Sequence, residues 1–166
     1  FASAINIGVA GGAGVINGDY DNDGDLDVFI HGSGNARALF QNILTTTANN
    51  WINIKCTGTT SNKSALGTII KLKASINGNS YWQIREITAQ NSFQSMNDLR
   101  VHFGLGNATV VDSLIIKYSS GTVETITNIA PNIFYCNEEG SGTLRITTDI
   151  NETPNIDNPI KVSPNP

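Results

Sequence analysis

Five aspartates stand at every second position within nine residues of the chain. A glycine follows the third of them, and the segment then turns apolar at Val28-Phe29-Ile30. Ionised carboxylates this close repel one another, and an ordered loop tolerates them best when a cation lies among them. The spacing therefore predicts a metal-binding loop. The five residues are Asp19, Asp21, Asp23, Asp25 and Asp27.

The order of these residues indicates which atoms would bind the metal. We expect the first three carboxylates and that of Asp27 to converge on one ion, while Gly24 permits the sharp turn and Asp25 contributes its backbone carbonyl. All these donors are hard oxygen atoms, which suit Ca²⁺ best and Mg²⁺ less well. A shell filled by oxygen ligands usually holds a loop together, so the predicted role of the calcium is structural rather than catalytic.

An EF-hand begins with a similar spacing, but it requires Glu at its twelfth position and a helix after that. Here Ile30 occupies the twelfth position and lies inside a short apolar segment typical of a strand. The acidic loop is therefore expected to connect two strands.

Composition narrows the class of protein. The 166 residues are 39% hydrophobic, enough for one or two domains, and only 14% are charged, well below the usual ~25%. The net charge is −4 and would be +1 without the five aspartates, so we expect no nucleic-acid partner. No apolar stretch approaches the ~20 residues of a membrane helix, so we expect no membrane insertion.

Short apolar segments alternate with polar residues and are separated by turn residues such as Asn77-Gly78, and no segment keeps a helical period. The chain is therefore predicted to be all-β. Strands are predicted at 13–17, 26–31, 37–42, 51–57, 67–76, 80–88, 99–103, 111–118, 122–127 and 133–137, with one more at 143–148.

Two changes in composition divide the chain. A polar break around 45–50 separates the acidic segment from the longer series of strands, and the tail from Asp149 contains four of the five prolines. We predict a calcium-binding unit at 1–45, a β domain at 46–142, and a strand with a linker at 143–166.

Two families resemble these units. GVINGDYDNDGDLDVFIHG, followed by ALFQN, resembles the calcium-binding FG-GAP/VCBS repeat, one blade of a β-propeller. Residues 49–140 are similar to the ASPIC/UnbV domain through NNWINIKCTGTTSNKSALGTIIKL and REITAQNSFQSMNDLRVHFGLGNATVVDSLIIKYSSG. The pairing is that of cartilage acidic protein-like proteins. It implies a partial propeller-like blade followed by an antiparallel β-sandwich.

The end of the chain, IKVSPNP, resembles the opening of the C-terminal sorting domain that Bacteroidota-type bacteria use for type IX secretion. That resemblance, together with the composition, predicts a secreted or cell-surface protein. Cys56 and Cys136 lie near the two ends of the ASPIC/UnbV-like segment, where first and last strands of a sandwich are often neighbours. They are candidates for a disulfide in an oxidising environment, with two buried free thiols as the alternative.

Catalysis is not expected. His31 and His102 are the only histidines, and the carboxylates outside the acidic loop show no spacing typical of an acid and base pair. Five aromatic side chains could stack on sugars, but aromatic residues spread through strands more often lie in the core. The five are Trp51, Tyr81, Trp82, Phe93 and Tyr118.

We predict a calcium-stabilised, non-catalytic module for binding or adhesion, with an extracellular glycan or protein as its partner. The alternative is a structural subunit of a self-assembling extracellular filament or surface layer. Residues 1–45 supply only part of a propeller blade, which would expose apolar residues such as Val28, Ile30 and Leu39. The chain is therefore expected to be a fragment of a longer propeller protein, or else to cover these residues by docking or self-association.

Overall fold

The computed structural model describes residues 12–32, 37–43 and 49–147, and within them it contains eleven β-strands and no helix. The prediction of an all-β chain is confirmed. Every predicted strand has a counterpart, and most boundaries agree within two or three residues. The predicted boundary near 45 and the proline-containing tail with its sorting-domain resemblance lie outside the described residues. None of the described residues forms a helix that could span a membrane.

The first unit is a three-stranded antiparallel sheet. It consists of β1 (Gly12–Gly18), β2 (Asp27–Gly32) and β3 (Arg37–Phe40), in that spatial order. Gly18 pairs with Asp27, so the acidic loop joins two paired strands, as predicted. Ile30 is buried, whereas Leu39 is about half exposed.

The second unit is a β-sandwich of two four-stranded sheets. The first sheet contains, in spatial order, β11 (Arg145–Ile146), β10 (Phe134–Glu138), β4 (Asn50–Thr57) and β7 (Val101–Gly106). The second contains β6 (Asn79–Glu86), β5 (Ile69–Ile76), β8 (Val111–Lys117) and β9 (Val123–Ile129). All pairs are antiparallel except β4 with β10, which run parallel. The antiparallel prediction therefore holds with this one exception.

Alternating apolar residues build the core between the two sheets. Ile52 and Ile54 of β4 face Leu72 of β5 and its neighbours, and all of them are fully buried. Side chains along a strand point to opposite faces in turn, so every second residue enters the core. The remaining fully buried apolar side chains with the largest volumes are Ile70, Phe103, Leu105, Val111, Leu114, Ile116 and Tyr118.

The two cysteines are free thiols, so the predicted disulfide is not formed in this structure. The expected neighbourhood is present, because β4 and β10 are adjacent. However, the register pairs Cys136 with Lys55 and Cys56 with Asn137. Successive side chains point to opposite faces, so Cys56 enters the core and Cys136 lies on the outer face. There the Cys136 thiol contacts the Thr147 hydroxyl at 2.8 Å.

Candidate metal centre

The acidic loop leaves β1 at Gly18 and re-enters the sheet at Asp27. Two of its residues adopt left-handed backbone angles, Asn22 with φ 63° and Gly24 with φ 98°. These angles bend the loop so that its first and last residues lie close together. The carboxylate oxygens of Asp19, Asp21 and Asp27 consequently lie within 4.8 Å of one another.

Three of the five predicted metal ligands are thus brought together. Asp19 and Asp27 are each 2% exposed, and Asp21 is exposed. The Gln41 side-chain amide, which lies just beyond β3, donates to the Asp21 carboxylate at 2.6 Å. The loop therefore places two buried carboxylates and one exposed carboxylate around a common point.

Asp27 is fixed by two backbone hydrogen bonds. One of its oxygens accepts from the Tyr20 N–H at 3.0 Å, and the other accepts from the Asn42 N–H at 2.8 Å. The first bond closes the loop on itself, and the second ties it to the segment after β3. Two backbone N–H groups therefore fix the orientation of the Asp27 carboxylate.

Asp19 has one bonded and one unbonded oxygen. Its Oδ2 accepts from the Gly24 N–H at 3.1 Å and from the Asn53 side-chain amide at 3.4 Å. Its Oδ1 is buried and has no hydrogen-bond partner. A buried carboxylate oxygen without a partner is costly, so this atom requires a cation or another donor beside it.

Asp23 and Asp25 lie outside the group of three. Asp23 accepts the Asp25 N–H at 3.0 Å in a local turn, and Asp25 Oδ1 is buried without a partner. Burial raises the pKa of Asp25, and the neighbouring carboxylates raise it further. Burial also raises the pKa of Asp19 to about 6, although the Gly24 N–H and the Arg100 guanidinium oppose the shift. Burial is the largest cause of both shifts, so the loop holds ionisable carboxyl groups away from water.

The loop rests on the outer face of the β-sandwich. Arg100, which precedes β7, donates at 2.6 Å both to the Asp19 backbone carbonyl and to the Asn22 side-chain oxygen. The Arg100 guanidinium is also paired with Asp98 and lies 5.5 Å from the Phe134 ring. One side chain of the sandwich therefore holds the acidic loop.

Trp51 completes this support. A Cβ added to Gly24 would lie 2.0 Å from indole atoms of Trp51, so the loop backbone packs directly on that ring. Trp51 also contacts Phe134, with ring centroids 4.9 Å apart. The sequence favours a core position for Trp51, but the structure places it beneath the acidic loop.

The two units make further contacts away from the acidic loop. Asn97 accepts the Asn17 N–H at 3.0 Å, and the Asp98 N–H donates to the Asn17 carbonyl at 3.2 Å. The Ser95 hydroxyl donates to the Val15 carbonyl at 3.2 Å. The segment between β6 and β7 therefore binds β1 at Val15 and Asn17. Sequence reasoning missed these contacts, because nothing in residues 87–100 distinguishes a loop in contact with a neighbour from one in solvent.

A second buried acidic group lies at one end of the sandwich. Glu139 accepts the backbone N–H groups of Thr59, Thr60 and Ser61 at 2.7–2.9 Å, together with hydroxyl groups of Ser61 and Ser120. Burial alone would raise its pKa. The Ser120 hydroxyl and the three backbone N–H groups outweigh burial and lower the pKa to about 2. Glu139 therefore joins the loop after β4 to the turn after β8 through its carboxylate.

The lowered pKa of Glu139 predicts an acid-sensitive fold. Because the pKa in the folded protein lies below its ordinary 4.5, the stabilisation is complete above that pH and is lost as the pH falls towards 2. Urea unfolding in chelator across this range should show the loss in the native protein and a smaller loss in Glu139→Gln. Equal pH dependence of the two proteins would contradict this role.

His102 lies at the contact between the two units. Burial, together with the nearby Arg85, lowers its pKa to about 4. Its Nδ1 is buried without a hydrogen-bond partner. The side chain borders a small polar cavity of about 180 Å³ between the two units, which Asn53 and Asp98 also line.

Comparison with known proteins places the chain in a family. No curated protein matches the sequence. The sequence profile of the ASPIC and UnbV family matches residues 58–144, slightly more than half of the chain. The match runs from the loop that binds Glu139 to the residue before β11 and therefore spans most of the sandwich. This chain belongs to the ASPIC and UnbV family.

Proposed function

We propose that the chain is a calcium-stabilised β-module that acts outside the cell as a secreted or surface-attached protein. It binds or adheres to a glycan or protein ligand and catalyses no reaction. The observation that carries this proposal is the buried, partnerless Oδ1 of Asp19 beside the carboxylates of Asp21 and Asp27. Calcium would supply the missing partner.

The donor set suits calcium. The three grouped carboxylates are hard oxygen donors. The Asp23 side chain and the Asp25 carbonyl belong to the same short loop and would complete the shell. Calcium accepts irregular arrangements of six to eight oxygen atoms, whereas magnesium demands a near-ideal octahedron. The chain offers no sulfur or imidazole donor inside this loop, which disfavours zinc and copper.

The contacts of the loop indicate what the calcium does. Arg100, Asn53 and Trp51 of the sandwich all touch the loop, so an ion that orders the loop also orders this contact surface. Calcium would thus connect the three-stranded sheet to the family domain. The resemblance of the first unit to the FG-GAP/VCBS repeat supports the same assignment.

Calorimetric titration with calcium tests the proposal. We expect one ion per chain in the native protein and no measurable binding to Asp19→Asn. Asp112→Asn, which changes an aspartate of β8 in the sandwich, is the matched control and should bind normally. Absence of calcium binding to the native protein would refute the proposal.

The extracellular and non-catalytic parts rest on the sequence. The resemblance of the tail to a type IX sorting domain and the low charge content favour export. Fractionation of the source cells would decide location, and a native protein found in the cytoplasm would contradict it. Reproducible turnover of a hydrolase substrate that is abolished by His102→Ala would contradict the non-catalytic assignment.

A filament subunit is the second candidate, because the sheet β6-β5-β8-β9 exposes apolar side chains on both of its edge strands. No described strand pairs with the outer edge of β6 or of β9. Tyr81, Trp82 and Ile84 of β6 and Val123 of β9 are each at least half exposed, although the aromatic pair was predicted to be core. Unpaired apolar edges favour pairing with another chain. Pairing of β6 with β9 of the next copy would extend the sheet head to tail.

Charge placed on either edge should stop such assembly. Ile84→Glu and Val123→Glu each put a carboxylate opposite a lysine of the adjacent strand, Lys71 or Lys117, so the monomer should remain stable. Sedimentation should show monomers of each variant and dimers when the two variants are mixed, because each retains one intact edge. Val110→Glu, an exposed position before β8, should assemble like the native protein. Large particles of either edge variant would exclude this candidate.

A further inference from the structure

A groove of about 650 Å³ lies beside the acidic loop. Its floor is the outer face of β4 and β10, where Lys55 and Phe134 are exposed in part or in full. Tyr20 and Asn22 of the acidic loop line one part of the groove, and the segment 96–100 lines another. The two parts meet where Arg100 donates to Asn22. The volume lies within the range of about 300–1,000 Å³ typical of small-molecule sites.

The lining combines an aromatic surface with polar side chains. Tyr20 is 55% exposed, and it lines the groove together with Phe134. The Asn22 side-chain oxygen already accepts from Arg100, so Asn22 offers its amide N–H groups, and Lys55 offers three donors. Such a set matches a ligand with a flat apolar face and hydroxyl groups at its edges.

We propose that this groove binds a short neutral oligosaccharide. A sugar ring presents C–H groups on its face, which stack on an aromatic ring, and hydroxyl groups at its rim, which pair with amides and ammonium groups. The proposal rests on the calcium-stabilised binding module proposed above and names the ligand class and the site.

The charges in and around the groove favour a neutral ligand over an acidic one. Lys55 and Arg100 are positive, but Asp98 pairs with Arg100, and the exposed Asp21 and Asp23 lie on the adjoining loop. An anionic polysaccharide would gain little from Lys55 alone, and the five loop aspartates stay net negative even with one Ca²⁺ bound, so they would still repel it. A protein partner usually needs a larger interface, about 800 Å² per side, than a concave groove of this size presents.

The acidic loop lines part of the groove, so the site should depend on calcium. Tyr20 lies between Asp19 and Asp21 in the sequence, and its N–H donates to Asp27. These three aspartates are the ones whose carboxylates are grouped. An ordered loop holds the Tyr20 ring over the groove, whereas a loop without its ion loses that position. Removal of calcium should therefore weaken sugar binding without any sugar contact to the ion.

A glycan array that carries neutral and acidic oligosaccharides, probed in calcium, tests the proposal. The neutral set includes cellohexaose, mannohexaose and maltohexaose, and any retained probe is then titrated by calorimetry. We expect Tyr20→Ala to weaken binding by at least about tenfold. Tyr81→Ala removes an equally exposed tyrosine from β6, remote from the groove, and should change affinity by less than about twofold.

The outcomes separate this inference from the calcium proposal. Calcium binding to the same sample with no retained neutral probe overturns the groove proposal alone. Equal loss in Tyr20→Ala and Tyr81→Ala, or retention of acidic probes only, also overturns it. Binding of a neutral probe that is unchanged by chelator and by Tyr20→Ala would place the sugar elsewhere and refute the assignment of this groove.

Discussion

Calcium added to chelator-treated protein is expected to raise the melting temperature by roughly 10 °C. A ligand that binds only the folded state contributes about 4 kcal/mol when its free concentration is about 1,000 times the dissociation constant. For a chain of this length, each kcal/mol corresponds to about 2–4 °C. The gain comes from pairing the buried Asp19 oxygen and neutralising the carboxylates of Asp21 and Asp27. Differential scanning calorimetry in calcium and in chelator measures it.

Two isosteric variants make the measurement specific. Asp19→Asn keeps the size of the side chain and can still accept the Gly24 N–H, but it turns an amide towards the metal. It should therefore abolish the calcium response. Asp25 is predicted to bind the ion only through its backbone carbonyl, which Asp25→Asn retains. The rise in melting temperature with calcium should therefore persist in this variant. Equal responses of the two variants would contradict the proposed ligand set.

The strands were predictable because their signal is local. In β5, the alternation of Ile70, Leu72 and Ala74 with Lys71 and Lys73 marks a strand with one buried face. The Asn77-Gly78 turn, whose φ angles are 50° and 78°, then fixes a tight hairpin with β6. Neither feature depends on any distant residue, so the sequence alone sufficed.

The pairing of strands depends on long-range geometry and was only partly predictable. The neighbourhood of the first and last sandwich strands was expected, but the parallel register of β4 and β10 was not. That register offsets Cys56 and Cys136 by one residue and sends the thiols to opposite faces. A single-residue offset reverses the side-chain direction in a strand, and no local pattern in either segment fixes it.

The candidate metal site shows the same division. The regular spacing of the aspartates predicted a metal loop between two strands, and the structure groups three of their carboxylates. The supporting residue Arg100 follows the loop by about eighty positions, and an isolated arginine carries no sign of its partner. Glu139, which gathers three backbone N–H groups, was missed for the same reason. Its sequence neighbourhood is that of an ordinary polar turn.

Replacing Gly24 with alanine is also expected to destabilise the protein strongly, because two separate requirements meet at this position. Its φ of 98° lies in the left-handed region that side chains with a Cβ rarely adopt. The added methyl would also lie 2.0 Å from Cε2 and Nε1 of Trp51, closer than atoms can approach. The loop would have to strain or leave the Trp51 ring, and either result disturbs the metal group.

Gly78→Ala separates the two requirements. Gly78 also has a positive φ, 78°, but an added Cβ would meet nothing within 4 Å. It should therefore carry the conformational cost alone, about 1 kcal/mol. Gly24→Ala should destabilise the protein by about 1–3 kcal/mol more, the usual cost of an overpacked contact. Urea unfolding in calcium compares the two variants.

Fluorescence shows whether the loop leaves its support. In a Trp82→Phe background Trp51 is the only tryptophan, so its emission reports the environment beneath the metal loop. Gly24→Ala should shift this emission to longer wavelength and weaken calcium binding, because an indole without the loop above it meets water. Gly78→Ala should change neither. Both glycine variants could lose the same stability and leave Trp51 emission and calcium affinity unchanged. In that case the loop does not rest on Trp51, and the proposed link between calcium binding and the contact of the loop with the sandwich is wrong.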